Sequence, residues 1–419
     1  MQSHQFSTEL IQSSQNMKKV YIFTFGCSNR YLDGEKYKLF FKKNNFSITD
    51  SPGDADYILL NTCAFRKSEE DIAIEKLIEF QKRKKEGAEI IVAGCLPAIN
   101  NERMKKYFSG QSITPREITK INSIFKAKVN IEDIPDSNTF RFHRPKKIME
   151  IIKTFPQINK KDLIGKIIKY SAAKIFQNKI AAEKESLYYI RIINGCLGNC
   201  SYCAIKQAIG NARSKPVDNI ISEVNNILSE KKDAEITLIG DDTGAYGLDI
   251  NLTFADLLNK LAEIERIKRI NIEEINIHWL VKDYEKILPI LRNLKFKHLW
   301  ISLQSGSEKI LHLMNRPVLK NPQETSRLLR DLKRANPHLI YRGQYIIGFP
   351  GETMDDVELT IDNITESELD EVNLYKFDPK PNTPAEKMPN QIKDKEKNSR
   401  IHYIENRLKK KKIEIFTNN

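Results

Sequence analysis

The chain has 419 residues, 40% of them hydrophobic and 29% charged, and its 68 Lys and Arg against 55 Asp and Glu give a formal net charge of +13. That length and apolar fraction suit two or three domains with sizeable cores and exclude a wholly disordered chain. No apolar stretch approaches the roughly 18 residues of a spanning helix and no secretory signal pattern opens the chain, so the reading is a cytoplasmic protein with no membrane partner, in which cysteines are metal ligands or catalysts before they are disulfides.

Residues 1–17 (MQSHQFSTELIQSSQNM) are polar and read as a disordered leader. Between residues 18 and 130 three short apolar runs, VYIFTFG, YILLNT and EIIVAG, read as buried parallel strands. Amphipathic helical stretches around 33–44 and 66–85 separate them, which makes a parallel βαβ domain. Each run ends on a cysteine: Cys27, Cys63 and Cys95. Crossover helices put the carboxyl ends of parallel strands on one edge, where α/β folds bind ligands. The fold would therefore gather three cysteines that are far apart in sequence. They read either as a three-thiolate metal centre or as three buried core cysteines, and their equivalent positions favour the centre.

Residues 131–186 are Lys-rich and include RFHRPKK and IIKTFPQINKKDLIGKIIKY, a basic linker with one or two basic helices. From 187 to 395, strand-like runs at 188–194, 235–240, 269–276, 298–304, 341–348 and 371–378 alternate with amphipathic helices. Six such repeats predict an open six-stranded α/β barrel, a partial version of the closed eight-stranded one, with its active site at the strands' carboxyl ends. Cys196 follows the first strand, Gly240, Asp241 and Asp242 the second, His278 and Trp279 the third, Gln304 the fourth, and Gly348 to Glu352 the fifth. Residues 396–419, with RLKKKK at 407–412, read as a basic C-terminal helix. No internal repeat is present at a period of 20–50 residues.

The first strand of this second domain leads into INGCLGNCSYCAI, where Cys196, Cys200 and Cys203 stand in a C-x3-C-x2-C spacing. Four-iron clusters are held by cysteine thiolates, and a cube with three protein ligands leaves one iron open to a substrate or co-substrate. The alternative is a structural zinc knuckle, but zinc takes four ligands in two pairs, and no nearby His or fourth Cys completes this set.

This run is the signature of the radical S-adenosylmethionine enzymes. With TFGC at 24–27, NTCAFRKSEED at 61–71 and AGCLP at 93–97, the chain resembles the methylthiotransferases of that superfamily over most of residues 18–395. The resemblance implies a radical-SAM barrel whose open iron chelates S-adenosylmethionine, cleaved by one electron to a 5′-deoxyadenosyl radical that takes hydrogen from an unactivated C–H bond. It also implies an auxiliary 4Fe–4S cluster on Cys27, Cys63 and Cys95 that supplies or carries the sulfur. The implied cofactors are therefore two 4Fe–4S clusters and S-adenosylmethionine, with an external electron donor such as flavodoxin or ferredoxin. The segments at 196–206, 240–250, 303–316, 347–353 and 377–388 are most similar to the branch that methylthiolates threonylcarbamoyladenosine in tRNA. DDTGAYG also resembles the branch that acts on an aspartate of a ribosomal protein. The family's pattern carries Asn where this chain has Arg30, and Arg where it has Ile209 and Lys380. It also implies a C-terminal RNA-binding TRAM domain, which residues 396–419 do not read as.

Within the barrel, Tyr202 reads either as a ring beside the adenine of S-adenosylmethionine or as a packed aromatic. Asp242 and Thr243, in the polar run 241–247, are expected by resemblance to hold the cofactor's methionine or ribose, or belong to a Gly-rich turn of the kind common after strands, and Gln304 lines the same mouth. Arg316 offers a fork of donors for a carboxylate or phosphate, or is a surface arginine. Gly348 and Gly351 flank a turn that lets backbone approach a ligand, or is just a tight turn. His278 and Trp279 stand where a stacking residue for a base would be useful. The charge surplus draws polyanions such as tRNA, and would draw an acidic peptide or protein substrate as well.

Overall fold

The computed structural model describes residues 17–140, 187–316 and 319–418. The leader except Met17, and the linker segment 141–186 expected to carry basic helices, lie outside the described residues.

The N-terminal domain is a five-stranded parallel sheet in the order β2-β1-β3-β4-β5. Its strands are β1 (Lys19–Thr24), β2 (Ser47–Thr49), β3 (Tyr57–Thr62), β4 (Glu89–Gly94) and β5 (Ser112–Ile113). The three predicted strands are β1, β3 and β4, and the two predicted helices are Ser28–Lys43 and Lys67–Arg83. The order reverses between β1 and β3, which is the topological switch point where such sheets open a crevice. The interior strand residues are apolar on both sides because helices cover both faces: Leu59 and Ile91 pack with Phe40 and Phe41, whereas Ile58, Leu60 and Val92 pack with Leu77 and Phe80.

The second domain is one eight-stranded sheet in the order β13-β12-β11-β10-β9-β8-β6-β7. The six predicted strands are β6 (Leu187–Asn194), β8 (Ala234–Gly240), β9 (Ile267–Asn276), β10 (Phe296–Gln304), β11 (Ile340–Ile347) and β12 (Glu371–Lys376). All are parallel, and the sheet stays open. The short β7 (Arg213–Ser214) adds an antiparallel edge to β6. Helices of strong amphipathic pattern cover the outer face; capping boxes start Phe254–Glu263 at Thr253, Pro322–Ala335 at Asn321 and Met354–Glu366 at Thr353.

The C-terminus corrects one expectation. The helix Asp394–Leu408 ends before the lysine run is complete, and the chain then forms β13 (Glu414–Asn418), which pairs in parallel with β12. The segment IEIFT is β-branched and aromatic, suits a strand better than a helix, and covers an otherwise open sheet edge. The linker boundary moves too. Ile131 and Ile134 belong to the N-terminal core, Asn138 O accepts from Tyr189 N at 2.7 Å, and Phe140 packs between Tyr31 and Tyr189.

Candidate functional site

The strand ends gather the first three cysteines as the topology requires. Cys27 leads into the helix from Ser28, Cys63 follows β3, and Cys95 follows β4 with its N–H bonded to Thr62 O at 2.9 Å. The approach is close: a Cβ on Gly26 would lie 2.5 Å from Cys63 Cβ and 3.2 Å from its Sγ. Gly26 has φ +120°, so glycine is needed there for conformation as well as for space. Burial raises the pKa of the Cys63 and Cys95 thiols, that of Cys95 to about 12 against the Arg30 guanidinium, whereas Cys27 is exposed.

The second triplet sits on the loop after β6. Gly195 begins the loop at φ +78°, and its N–H donates to Asp241 Oδ2 at 2.7 Å. Gly198 N donates to Cys196 Sγ at 3.2 Å, and a Cβ on Gly198 would lie 3.2 and 3.9 Å from the sulfurs of Cys196 and Cys200. Ser201 ties the loop to the rest of the barrel mouth. Its N–H and Oγ donate to Met314 O and Leu313 O, and its carbonyl accepts from Ala385 N. Burial raises the thiols of Cys196 and Cys203, the latter to about 12.

The other predicted residues fall around this loop. Arg316 is buried; its Nη1 lies 3.8 Å from Cys200 Sγ and donates to Tyr202 OH at 3.2 Å, while its Nη2 donates to Asn276 Oδ1 and Ser302 O at 2.6 Å. It is therefore no surface arginine. Tyr202 packs its ring edge-on to Phe349 in a small core with Met314 and Phe377. Asp242 Oδ2 accepts from Trp279 Nε1 at 2.8 Å and from the Cys196 thiol at 3.6 Å, and its Oδ1 is buried with no hydrogen-bond partner. Burial lifts its pKa to about 6, against the Trp279 bond. Trp279 thus holds Asp242, and His278 packs edge-on against it. Thr243 gives its hydroxyl to Glu273 O. Gln304 ends β10 at φ +71°, with Oε1 buried and unpartnered. Gly348 and Gly351 both have positive φ; Gly348 N donates to Glu352 Oε1 and Gly351 N to Asn390 O.

The two triplets border one crevice between the domains. Besides burial and the neighbouring thiols, the charge of Asp241 acts on Cys95 in one set and on Cys203 in the other, which puts this carboxylate near both. Ser28, next to Cys27, donates to Glu273 Oε2 at 3.3 Å. Between the pairs Leu299↔Ile272 and Ile301↔Ile275 the strand β9 carries one extra residue, a bulge at which Glu274 takes φ +58°. A bulge re-aims side chains. Here Glu273 turns to the N-terminal domain while Glu274 accepts from Gln344 Nε2 at 3.1 Å. Burial, then the charge of Glu274, pushes the Glu273 carboxyl up to about 8. On the segment after Cys63 the Phe65 ring, 52% exposed, meets Tyr375 edge-on at 5.5 Å, and the Arg66 guanidinium lies 6.0 Å from both ring centres.

Residues 19–114 match the family described as Uncharacterized protein family UPF0004, and residues 190–364 match the Radical SAM superfamily. A tRNA-2-methylthio-N(6)-dimethylallyladenosine synthase of Thermodesulfovibrio yellowstonii is 30% identical over 92% of this chain and 81% of its own length. The chain belongs to the radical S-adenosylmethionine methylthiotransferases. A ribosomal protein uS12 methylthiotransferase of Clostridium botulinum is also 30% identical, over 91% of this chain and 80% of its own. Among solved structures, the radical S-adenosylmethionine methyltransferase TsrM of Kitasatospora setae aligns with a TM-score of 0.58 at 12% identity, covering 88% of this chain and 77% of that one. That likeness shows the fold alone.

As a radical S-adenosylmethionine enzyme, this methylthiotransferase uses a 4Fe–4S cluster and S-adenosylmethionine, and its residues suit them. Among the described residues no three His, Cys, Asp or Glu converge tightly enough for a single metal ion. A four-iron cube instead takes thiolates at separate corners, and the loop after β6 carries three, with Gly198 beside the sulfurs of Cys196 and Cys200 and the unpartnered Asp242 Oδ1 on the carboxylate that meets Cys196. No described helix is long and apolar enough to cross a membrane. Several crevice residues escape sequence reasoning: Phe65, Arg66, Glu273, Glu274 and Tyr375. The one available signal is the Glu-Glu pair inside the strand run INIEEIN, where an acidic dipeptide does not belong in a buried strand.

Proposed function

We propose that this chain is a two-cluster methylthiotransferase acting on tRNA, with carbon 2 of a hypermodified adenosine next to the anticodon as its target. Cys196, Cys200 and Cys203 would hold the cluster that binds S-adenosylmethionine, and Cys27, Cys63 and Cys95 the auxiliary cluster. Bound together, these groups supply a 5′-deoxyadenosyl radical and a transferable sulfur. The chain's own residues place and shield them: Asp242 and Arg316 present an acceptor and a fork of donors at the loop after β6, while Tyr202, Gln304 and the turn from Gly348 to Gly351 line the remaining mouth. An external flavodoxin or ferredoxin would deliver the electron.

The observation that carries the tRNA reading is the face made by Phe65, Tyr375 and Arg66 on the segment that follows Cys63. An enzyme that works on a base must take it out of its stack, and aromatic rings and guanidinium planes are what such a base stacks on. The net charge of +13 favours a polyanion over most peptides.

The test is mass spectrometry of tRNA nucleosides from a deletion strain against its parent. Loss of a methylthiolated adenosine, restored by the intact gene, supports the reading. An unchanged nucleoside profile together with loss of a CH3S group from a protein or peptide would overturn it and make a polypeptide side chain the substrate.

A further inference from the structure

Arg30 stands three residues after Cys27, where the family's pattern carries Asn. It is buried beside the N-terminal triplet: the Cβ that Gly26 lacks would touch Arg30 Cγ at 3.6 Å and Cys63 Sγ at 3.2 Å. Arg30 Nη1 pairs with Asp33 Oδ2 at 2.9 Å, but Asp33 Oδ1 is taken by Arg191 Nη2 at 2.8 Å. One carboxylate therefore serves two buried guanidinium groups. Asp136 also acts on Arg191, but Lys36 and Lys215 share it at 3.3 and 3.2 Å. Arg30 Nε is buried and has no hydrogen-bond partner. The groups whose charges act most strongly on Arg30, after Asp33, are the sulfurs of Cys95 and Cys27, ahead of Asp241, which already accepts from Gly195 N.

A buried, unpaired N–H on a cation is costly unless an acceptor comes to it. Three thiolates and an iron–sulfur cube are electron-rich acceptors with net negative charge, and hydrogen bonds and charge near the sulfurs set the reduction potential of such a centre. We propose that Arg30 is a positioning residue for the N-terminal centre: its Nε–H points to a sulfur of that centre and its charge offsets the centre's own, holding the reduction potential above the value that an uncharged residue at this place would give. This inference rests on the two-cluster reading above.

The experiment is a redox titration followed by electron paramagnetic resonance. It uses the full chain with Cys196, Cys200 and Cys203 replaced by alanine and its iron reconstituted, so that only the N-terminal centre gives a signal. Arg30→Gln should shift the midpoint to a more negative potential, Arg30→Lys should shift it less, and Asp33→Asn, which frees more positive charge, should shift it the other way. Loss of iron from Arg30→Gln with retention in Arg30→Lys would support the same role for the charge. Equal potentials in all variants, or shifts of one sign for Arg30→Gln and Asp33→Asn, would overturn the proposal. Absence of iron from the chain with Arg30 and Asp33 intact would instead sink the two-cluster reading, and this inference with it.

Discussion

Lys380 Nζ lies 2.9 Å from Glu70 Oε1, a buried ion pair between residues 310 positions apart. Glu70 sits in the first turns of the helix that follows Cys63, and Lys380 in the segment that follows β12. Asn100 and Arg103 also donate to Glu70, and Lys67 N donates to Asp378, which itself pairs with Lys380. The network fastens the N-terminal domain to the barrel. It also explains why lysine serves at 380, where the family's pattern carries Arg: one carboxylate oxygen is all it must meet at Glu70.

Glu70→Ala strips this network of its centre. Leaving buried cations without their partner should cost about 3 kcal/mol, the low end for a broken buried pair because Asp378 and Asp71 remain. Chemical denaturation reads the cost. Sulfur insertion should fall further than 5′-deoxyadenosine formation, since only insertion needs both domains in register; equal losses would count against this role.

Cys63→Ala separates the two halves of the chemistry. It removes one sulfur at the end of β3 and leaves the loop carrying Cys196, Cys200 and Cys203 untouched. The expected result is continued 5′-deoxyadenosine formation with no methylthiolated product. Product formed at the wild-type rate would refute the assignment of the N-terminal triplet.

Arg316 meets Cys200, Tyr202, Asn276 and Ser302 with one planar fork. A lysine keeps the charge but cannot reach four acceptors on two sides. Losing one charge-assisted hydrogen bond is worth roughly tenfold in rate or affinity, so Arg316→Lys should lower 5′-deoxyadenosine formation by about that factor. Unchanged kinetics would return Arg316 to a structural role.

Glu273 gives a pH signature. Burial and Glu274 raise its carboxyl from 4.5 to about 8, with Arg342 and the Ser28 hydroxyl opposing. The folded state then holds a proton that the unfolded state has released, so between about pH 4.5 and 8 stability falls as pH rises. Glu273→Gln should flatten this part of the stability curve and raise the melting temperature at pH 8. A wild-type curve that is flat or rising across the window would show the carboxyl to be ionised in the fold.

Much of this protein is legible in its sequence because the signals are local. An apolar run of five or six residues that ends in Gly-Cys or Thr-Cys reads as a strand and its carboxyl end, and the spacing of Cys196, Cys200 and Cys203 brings three thiols onto one loop. Parallel βαβ topology then converts three distant cysteines into neighbours, since each strand must start at the same edge. The C-terminal strand was the local exception: the lysines of 407–412 mask a five-residue edge strand that forms only because β12 is there to pair with it.

The relations that cross the domain boundary arise only in the folded chain. Whether Arg316 is solvated or locked to Cys200 depends on how the segment after Leu313 packs on the loop after β6, and sequence spacing carries no such distance. The bulge that turns Glu273 towards Ser28, the Phe65–Tyr375 contact and the sharing of Asp33 by Arg30 and Arg191 join residues separated by many elements. Their charges and donors are partnered or left over only once the two domains have closed on each other, because burial, not residue type, sets what an unpaired group costs.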